Sequence, residues 1–462
     1  MQDAEIKRSA LLVAVLASFL TPFMVSSVNV ALPAMGREFG MNAVLLSWVP
    51  TSYLLAAAMF LVPFGRIADI YGRKRIFFAG IIIYTIASGL IALSGTVFAL
   101  LALRVVQGFG SAMIFGTGLA IVTSVFPAAE RGRVLGINVS AVYIGLSLGP
   151  FLGGFLTQQF GWRSIFLANV PAGLVAMYFI VRRLKGEWAE AKGERFDLGG
   201  AFLYAVSLVA VMYGLTVLPE RSGVLLVLFG LFWVGAFIVW ELTAPSPLLD
   251  MRLLTSNITF SMSNIAALIN YSATFAVTFL VSLYLQYLKG FTPRQAGVVL
   301  ITQPIVMAAF SPLAGRLSDR IEPRIVASIG MGFTALGLAL FALLDERSPL
   351  WFIITNLIII GFGFALFSSP NTNAVMSSIE RRYYGVGSAM LGTMRLTGQM
   401  LSMGMVMVIF ALYIGRVQIT PEYYPLFLKS AKTLFLLSAF LCGAGIFASL
   451  TRGKVHHAAG RS

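Results

Sequence analysis

Residues 65–75 read GRIADIYGRKR, a short polar segment that joins two long apolar runs. Five of its eleven residues are charged, whereas only 11% of the whole chain is. The flanking runs, at 43–64 and 76–96, are each long enough to cross a bilayer, which takes about 20 apolar residues. The segment is therefore predicted to be a tight, charged loop between two membrane-spanning helices.

The rest of the chain repeats this arrangement. Hydrophobic residues make up 58% of the 462 residues and the mean hydropathy is +0.88, which is too apolar for a soluble protein. Runs bounded by charge, Pro or Gly predict fourteen spans, at 9–32, 43–64, 76–96, 98–125, 134–158, 163–181, 198–218, 222–242, 257–288, 296–314, 325–344, 350–375, 384–414 and 431–450. The first run lacks a small-residue cleavage site and is read as an uncleaved first helix.

The basic residues predict the orientation. An even number of spans places both termini on one side, and the segments on that side hold 22 of the 33 Lys and Arg residues, against nine on the other. Basic residues favour the cytoplasmic face, so we expect a multi-pass cell-membrane protein with both termini cytoplasmic. Because the net charge of +15 sits in short clusters between apolar runs, a nucleic-acid partner is not expected.

The sequence lacks the residues that several classes of protein function require. Cys442 is the single cysteine, which excludes an internal disulfide and a thiolate metal cluster. The chain has no phosphate-binding loop of the form GxxxxGK[ST], so ATP-driven transport is not expected. It also lacks an embedded cluster of His, Asp and Glu, a nucleophile motif and a metal-ligand spacing. We therefore expect neither an enzyme nor a cofactor or metal; a channel is a further, disfavoured alternative.

The charged segment recurs in degenerate form. Residues 315–324 read GRLSDRIEPR and follow the tenth run, just as residues 65–75 follow the second. The two copies occupy equivalent places if runs seven and eight are an insertion between two six-helix halves. An internal repeat of this kind is typical of secondary transporters, whose substrate site lies between the halves.

At this point the sequence resembles the major facilitator superfamily, in particular its fourteen-span drug:proton antiporter branch, over nearly the whole chain. The resemblance implies an all-α polytopic membrane protein with the major facilitator fold. Its parts would be a first six-helix half at 1–185, a linker with two additional helices at 186–250, and a second six-helix half at 251–462. It also implies transport by alternating access.

The first shared motif is the segment at 65–75. The resemblance implies a role in gating the cytoplasmic side, with glycines that let helices approach and charges that hold the gate shut. A solvated positive loop is the alternative. The residues assigned to this role are Gly65, Arg66, Asp69, Gly72, Arg73, Lys74 and Arg75.

Two further motifs lie in spans four and five. Arg104 begins RVVQGFGSA, similar to a family motif whose arginine faces the cavity, and Gln107 belongs to the same motif. A membrane-embedded arginine is expensive and therefore expected to be functional, although a snorkelling or packed structural arginine is the alternative. Span five resembles the antiporter motif and is predicted to pack closely and to bend. Its residues are Gly145, Gly149, Pro150, Gly153 and Gly154.

The chain departs from the family that it resembles in the placement of its acidic residues. Span one carries the branch motif that includes Asn29, but the usual embedded acid five residues earlier is Met24. None of the eighteen Asp and Glu residues lies at mid-membrane, whereas two arginines do. Since a cationic substrate needs a counter-charge, we expect a neutral or anionic amphiphile. The predicted substrate or proton pathway holds Met24, Asn29, Arg104, Gln107, Asn138, Tyr143, Asn264, Asn270 and Arg395, unless the polar ones simply bond helices together.

These observations predict a secondary transporter that exports hydrophobic or amphiphilic small molecules. Proton-coupled antiport is the expected mode, with Asp69 as the best protonatable candidate and the proton as partner ion. A uniporter or symporter of a small organic anion or lipid-like metabolite is the alternative. We expect a functional monomer in the lipid bilayer.

Overall fold

A computed structural model of the protein describes residues 2–184, 186–249, 251–380 and 384–453. Within these ranges every regular element is helical. The first eight helices are α1 Gln2–Phe39, α2 Ala43–Tyr71, α3 Arg73–Ala92, α4 Val97–Val125, α5 Ala128–Phe160, α6 Arg163–Arg182, α7 Leu198–Val217 and α8 Arg221–Thr243. The remaining nine are α9 Met251–Ser256, α10 Ile258–Thr274, α11 Ala276–Leu283, α12 Pro293–Leu300, α13 Thr302–Arg320, α14 Pro323–Phe341, α15 Leu350–Ser377, α16 Tyr384–Tyr413 and α17 Tyr424–Thr451.

The predicted number of spans is confirmed. Fourteen helical segments of the described chain are long and apolar enough to cross a membrane. The ninth segment joins α10, α11 and a π-helical turn at Tyr284–Leu288, and the tenth joins α12 and α13. Several helices extend beyond the predicted runs; the first continues to Phe39 and the last begins at Pro421. Hydropathy detects only the apolar part of a helix, and the backbone hydrogen bonds continue through its polar ends.

The charged segment at 65–75 is not the loop that the sequence predicts. Most of it forms the last two turns of α2, and Gly72 alone separates α2 from α3. Gly72 adopts a φ of 121°, a conformation that favours glycine, and its N–H donates to the Ala68 carbonyl at 2.8 Å. A Cβ atom at Gly65 would meet no atom within 4 Å. The close approach expected there belongs instead to Gly116 on α4, whose Cβ position lies 3.2 Å from the Gly65 nitrogen.

The glycine stripe of α5 packs on α1. A Cβ atom at Gly145 would lie 2.6 Å from the Phe19 carbonyl oxygen, and one at Gly153 would lie 2.8 Å from the Ser27 Cα atom. The Ser27 hydroxyl crosses the same contact and donates to the Gly149 carbonyl at 2.9 Å. The two backbones therefore meet at a distance that only glycine permits, as expected where small residues bring helices together in lipid.

The two predicted halves meet at the end of the bundle opposite the termini. The Ser282 hydroxyl donates to the Asn29 carbonyl at 2.8 Å, and the Ala43 amide donates to the Val417 carbonyl at 2.9 Å. A Cβ atom at Gly154, the last glycine of the α5 motif, would overlap the Pro293 carbonyl oxygen on α12. Backbones of both halves are thus in direct contact here, and this end of the structure is closed.

The inserted helices α7 and α8 form a hairpin that touches both halves. The Tyr204 hydroxyl donates to the Ala58 carbonyl on α2 at 3.2 Å, and the Thr216 hydroxyl lies 3.4 Å from the Met407 sulfur on α16. The outer face of α8 exposes large apolar side chains such as Phe232, as expected of a lipid-facing helix. The division at 1–185, 186–250 and 251–462 stays a prediction, and its limits at 1, 185, 250 and 462 lie outside the described residues.

Replacing Gly149 with alanine should destabilise the protein. The new Cβ atom would lie 2.6 Å from the Ser26 Cβ atom and 2.9 Å from the Phe23 carbonyl oxygen, so α1 and α5 must separate. We expect a loss of about 1–3 kcal/mol, measured as a lower thermal midpoint in detergent.

The matched control is Gly136→Ala on the same helix, where a Cβ atom meets nothing within 4 Å. This variant should be neutral or stabilised by up to about 1 kcal/mol through helix propensity. Equal midpoints for the two variants would contradict the packing role of Gly149.

Candidate functional site

Arg104 lies inside the first half rather than on a surface that faces the second. Its side chain is 1% exposed, and its Nε atom donates to the Val49 carbonyl on α2 at 3.0 Å. Nη1 donates to the Gln107 Oε1 atom at 2.5 Å, and Gln107 in turn donates to the Ser88 hydroxyl on α3 at 2.8 Å. The guanidinium carbon also lies 4.5 Å from the Tyr53 ring centroid. This geometry favours the packed structural alternative, and a direct role in transport stays a prediction.

A second cluster crosses from one half to the other through Tyr143. The Ser311 hydroxyl on α13 donates to the Tyr143 hydroxyl on α5 at 3.1 Å. Around this bond Tyr143 packs against Met307 and Phe364. Tyr271 on α10 stacks edge-on against Phe364 with ring centroids 5.4 Å apart. We name these five residues, Tyr143, Tyr271, Met307, Ser311 and Phe364, the aromatic cluster.

Arg395 on α16 borders this cluster. Its guanidinium carbon lies 5.5 Å from the centroid of Phe115, a residue of α4 in the first half. The side chain is half-buried, and it acts electrostatically on the hydroxyls of both Tyr143 and Tyr53. Within the described residues, Arg395 makes neither a hydrogen bond nor an ion pair. Arg395 is thus a membrane-embedded cation between the halves, and in the described chain its guanidinium is stabilised by a cation–π contact with Phe115 rather than by an ion pair.

The other predicted pathway residues form their described hydrogen bonds with groups other than Arg395. Met24 is fully buried, and the Asn138 amide oxygen accepts from Ser18 at 3.3 Å, which ties α5 to α1. Asn264 donates to a carbonyl of its own helix at 2.9 Å, and Asn270 donates to the Cys442 sulfur at 3.9 Å. Asn29 is buried and meets the second half through its backbone carbonyl. The contacts of Asn138, Asn270 and Asn29 join different helices and fit the alternative in which polar residues bond helices together, whereas the bond of Asn264 stays within α10.

The predicted gating charges meet an acidic linker that the sequence analysis did not assign to the gate. Arg73 donates to Asp69 at 2.8 Å and to the Ser124 hydroxyl on α4 at 2.6 Å. Glu190 of the linker accepts two further bonds from the same guanidinium, at 2.7 and 2.9 Å. A forked pair of this kind is among the stronger polar contacts.

The linker backbone follows its side chains. The Ala191 amide donates to the Asp69 carbonyl at 2.9 Å, and the Arg73 amide donates to the Trp188 carbonyl at 2.8 Å. Glu194 pairs with Arg66. Glu187 accepts from the Lys74 amide at 2.8 Å and lies 3.6 Å from Arg75. The linker thus places three acids, Glu187, Glu190 and Glu194, against the basic residues of segment 65–75. The complementary charges are present in the sequence, but the pairing is seen only in the folded structure.

Comparison with known proteins identifies the family. A sequence model described as Major Facilitator Superfamily matches residues 14–403 and also 263–461. The chain belongs to the Major Facilitator Superfamily.

Relatives in this superfamily are named as transporters. The chain is 31% identical over 383 residues to the riboflavin transporter RibZ of Clostridioides difficile, with 82% of each chain covered. It is 30% identical over 377 residues to the multidrug resistance protein Stp of Mycobacterium tuberculosis, covering 80% of this chain and 70% of that one. The protein is therefore a superfamily transporter rather than an enzyme.

Solved superfamily structures share the fold. A peptide transporter in complex with alafosfalin superposes with a TM-score of 0.71 at 14% identity, covering 96% of this chain and 98% of that chain. A bacterial homologue of the lysosomal transporter Spinster, in an inward-facing and occupied conformation, gives a TM-score of 0.67 at 16% identity and covers 97% of each chain. At these identities the likeness concerns the fold alone.

Arg104→Lys should destabilise the transporter, because an ammonium group cannot reproduce both hydrogen bonds of the guanidinium and its stacking on Tyr53. We expect a loss of about 1–3 kcal/mol, read as a lower thermal midpoint. Arg221→Lys, at an exposed position on α8, is the control for the same exchange. A midpoint that falls no further than that of the control would show that Arg104 is not packed as described.

Glu190→Gln should loosen the linker, because the Arg73 guanidinium loses its charged forked partner. We expect the peptides that contain the Arg73 and Ala191 amides to exchange hydrogen about threefold faster, because Glu190 is 67% exposed and solvent screens part of its interaction with the buried Arg73. The control is Glu220→Gln, because Glu220 is about as exposed as Glu190 but its partner Arg416 is 59% exposed, whereas Arg73 is 9% exposed. If hydrogen exchange were unchanged in Glu190→Gln, the pair of Arg73 with Glu190 would not hold the linker in place.

Proposed function

We propose that the protein exports hydrophobic or amphiphilic small molecules, neutral or anionic rather than strongly cationic, by proton-coupled antiport. The observation that carries this proposal is Arg395, a half-buried cation between the two halves without an ionic partner in the described chain. The proposed setting is the cell membrane, with both termini cytoplasmic and the monomer as the functional unit.

The substrate class follows from charge. A cation that enters the space beside Arg395 meets a like charge in a low-dielectric region, where Coulomb energies are much larger than in water. The described acids lie at helix ends, in loops or in the linker, so none of them offsets this repulsion at mid-membrane. An anion would instead supply the partner that Arg395 lacks, and a neutral compound would avoid the repulsion.

The aromatic cluster suits a compound with a ring. Tyr271, Phe364 and Phe115 present ring faces and edges within the same region as Arg395. Tyr143 and Ser311 add hydroxyls that can bond to polar substituents. The relatives are named for riboflavin transport and multidrug resistance, which is compatible with ring-containing substrates.

In the alternating-access mechanism, the closed end of the bundle corresponds to one side of the membrane. With the termini cytoplasmic, the contacts of Asn29 with Ser282 and of Ala43 with Val417 close the outer side. Export requires these contacts to break while the termini side closes. Asp69 is the proposed proton carrier, since protonation would weaken its ion pair with Arg73 and so couple proton binding to the gate. A uniporter or symporter of a small organic anion or lipid-like metabolite is the second candidate, because no mid-membrane acid carries a proton.

The test uses proteoliposomes that enclose a pH-sensitive dye, with riboflavin and 1-naphthaleneacetate as probes. We expect at least one of these probes to evoke proton movement that Asp69→Asn abolishes. Arg395→Gln should raise the KM for 1-naphthaleneacetate about tenfold, the effect of losing about 1.4 kcal/mol of binding, while Arg395→Lys retains most of the affinity. Probe flux without proton movement would replace antiport with the uniporter. If Arg395→Gln left the KM unchanged, Arg395 would not bind the substrate.

A further inference from the structure

Arg452, which follows the last residue of α17, is a fully buried cation whose hydrogen bonds go to neutral side chains. Its side chain is 0% exposed, and Nη1 donates to the Asn371 amide oxygen at 2.8 Å and to the Ser263 hydroxyl at 3.3 Å. Its Nε and Nη2 atoms are buried and have no hydrogen-bond partner among the residues that the structure describes. Two donors of a charged group are therefore left without an acceptor.

Arg324, near the beginning of α14, lies beside Arg452 and repeats the pattern. Its Nη1 atom donates to the Leu450 carbonyl at 3.4 Å, while its Nε atom is buried and has no hydrogen-bond partner in the described part of the chain. The two guanidinium charges repel each other, and Glu322 acts on Arg452 at longer range than an ion pair. Neither arginine has a carboxylate within 4.0 Å in the described chain. Two neighbouring cations thus hold three buried nitrogen donors that have no acceptor in the described chain.

In the first half, the corresponding buried arginine has carboxylate partners. At the same end of the bundle Arg73 is paired with Asp69 and Glu190. Burial, with the neighbouring charge of Arg324, lowers the pKa of Arg452 to about 10, so the group remains charged at neutral pH. A buried charge without a partner is costly, and buried polar groups are normally satisfied. A missing anion accounts for both arginines at once.

The position of the pair suggests where this anion comes from. Arg324 and Arg452 lie where α14 begins and α17 ends, which is the level at which a span leaves the hydrocarbon. Ile321, Ile325 and Leu450 expose their apolar side chains next to them, as expected of residues in contact with lipid. Basic pockets between helices at this level bind anionic head groups. Arg324 is only half-buried, so an anion can reach the pair from its side once this side chain turns.

We propose that Arg324 and Arg452 form a binding site for a phosphate-bearing anion, either the head group of an anionic phospholipid or free phosphate. The phosphate oxygens would accept hydrogen bonds from the Nε atom of Arg324 and from the Nε and Nη2 atoms of Arg452. The occupied site would connect α14 and α17 of the second half to the membrane surface. It is separate from the substrate region around Arg395 and does not depend on the direction of transport.

The experiment follows thermal unfolding of the purified full-length protein in detergent. Three probes are titrated: dioctanoyl phosphatidylglycerol, dioctanoyl phosphatidylcholine and inorganic phosphate. We expect a saturable rise in the unfolding midpoint with phosphatidylglycerol and none with phosphatidylcholine. Arg324→Gln and Arg452→Gln should each weaken the apparent affinity about tenfold or more, because each removes charged donors. Arg452→Lys, which retains the charge, should lose less.

The control is Arg320→Gln, which removes an exposed charge from the same end of the bundle and should bind as the wild type does. Each variant is compared with its own unliganded midpoint, so a change in intrinsic stability does not obscure binding. A rise with inorganic phosphate at similar concentrations would assign the site to free phosphate. No saturable rise with either anion, or equal affinities in Arg324→Gln and Arg320→Gln, would overturn the proposal.

Discussion

Hydrocarbon cannot solvate a charge, and the ways in which this protein meets that constraint explain most of its architecture. Arg104 satisfies its guanidinium with the Val49 carbonyl, Gln107 and the Tyr53 ring. Arg73 is paired with two acids, Asp69 and Glu190, and donates two hydrogen bonds to Glu190 of the linker. Arg395 lies over the Phe115 ring and has no polar partner in the described chain. The three arginines therefore differ in how their charge is met, and the gating role of Arg73 and the substrate-directed role of Arg395 are both proposals.

The same constraint governs how the helices meet. In lipid, the hydrophobic effect does not drive helices together, so their association depends on close packing. Glycine allows this packing because it has no side chain. The stripe on α5 brings α1 to backbone contact, and Gly154 carries the contact across to Pro293 of the other half. The helix α5 thus packs against α1 of its own half on one face and against α12 on another, at the end of the bundle opposite the termini. A transporter that opens this end must separate contacts that glycine has made very short.

The sequence predicts the fold well because hydropathy is a local property. Span bounds differ from the structure mainly at polar helix ends, such as Phe39 and Pro421, where the helix continues beyond the apolar residues. The surroundings of a side chain are not local. Nothing near Arg104 in the chain shows that Val49 and Tyr53 will enclose it, and nothing near Arg73 shows that Glu190 will reach it. The aromatic cluster likewise draws on α5, α10, α13 and α15, so no single stretch of sequence reveals it.

The charge preference of the binding region is the central claim, and equilibrium binding to the purified transporter measures it most directly. Three compounds with one naphthalene ring, bearing a carboxylate, a carboxamide or an ammonium group, keep size and shape nearly constant. We predict that the carboxylate and the carboxamide bind and that the ammonium compound binds about tenfold more weakly or worse, a difference of about 1.4 kcal/mol. Tightest binding by the ammonium compound would contradict the account, because an unpaired Arg395 could not then define the site.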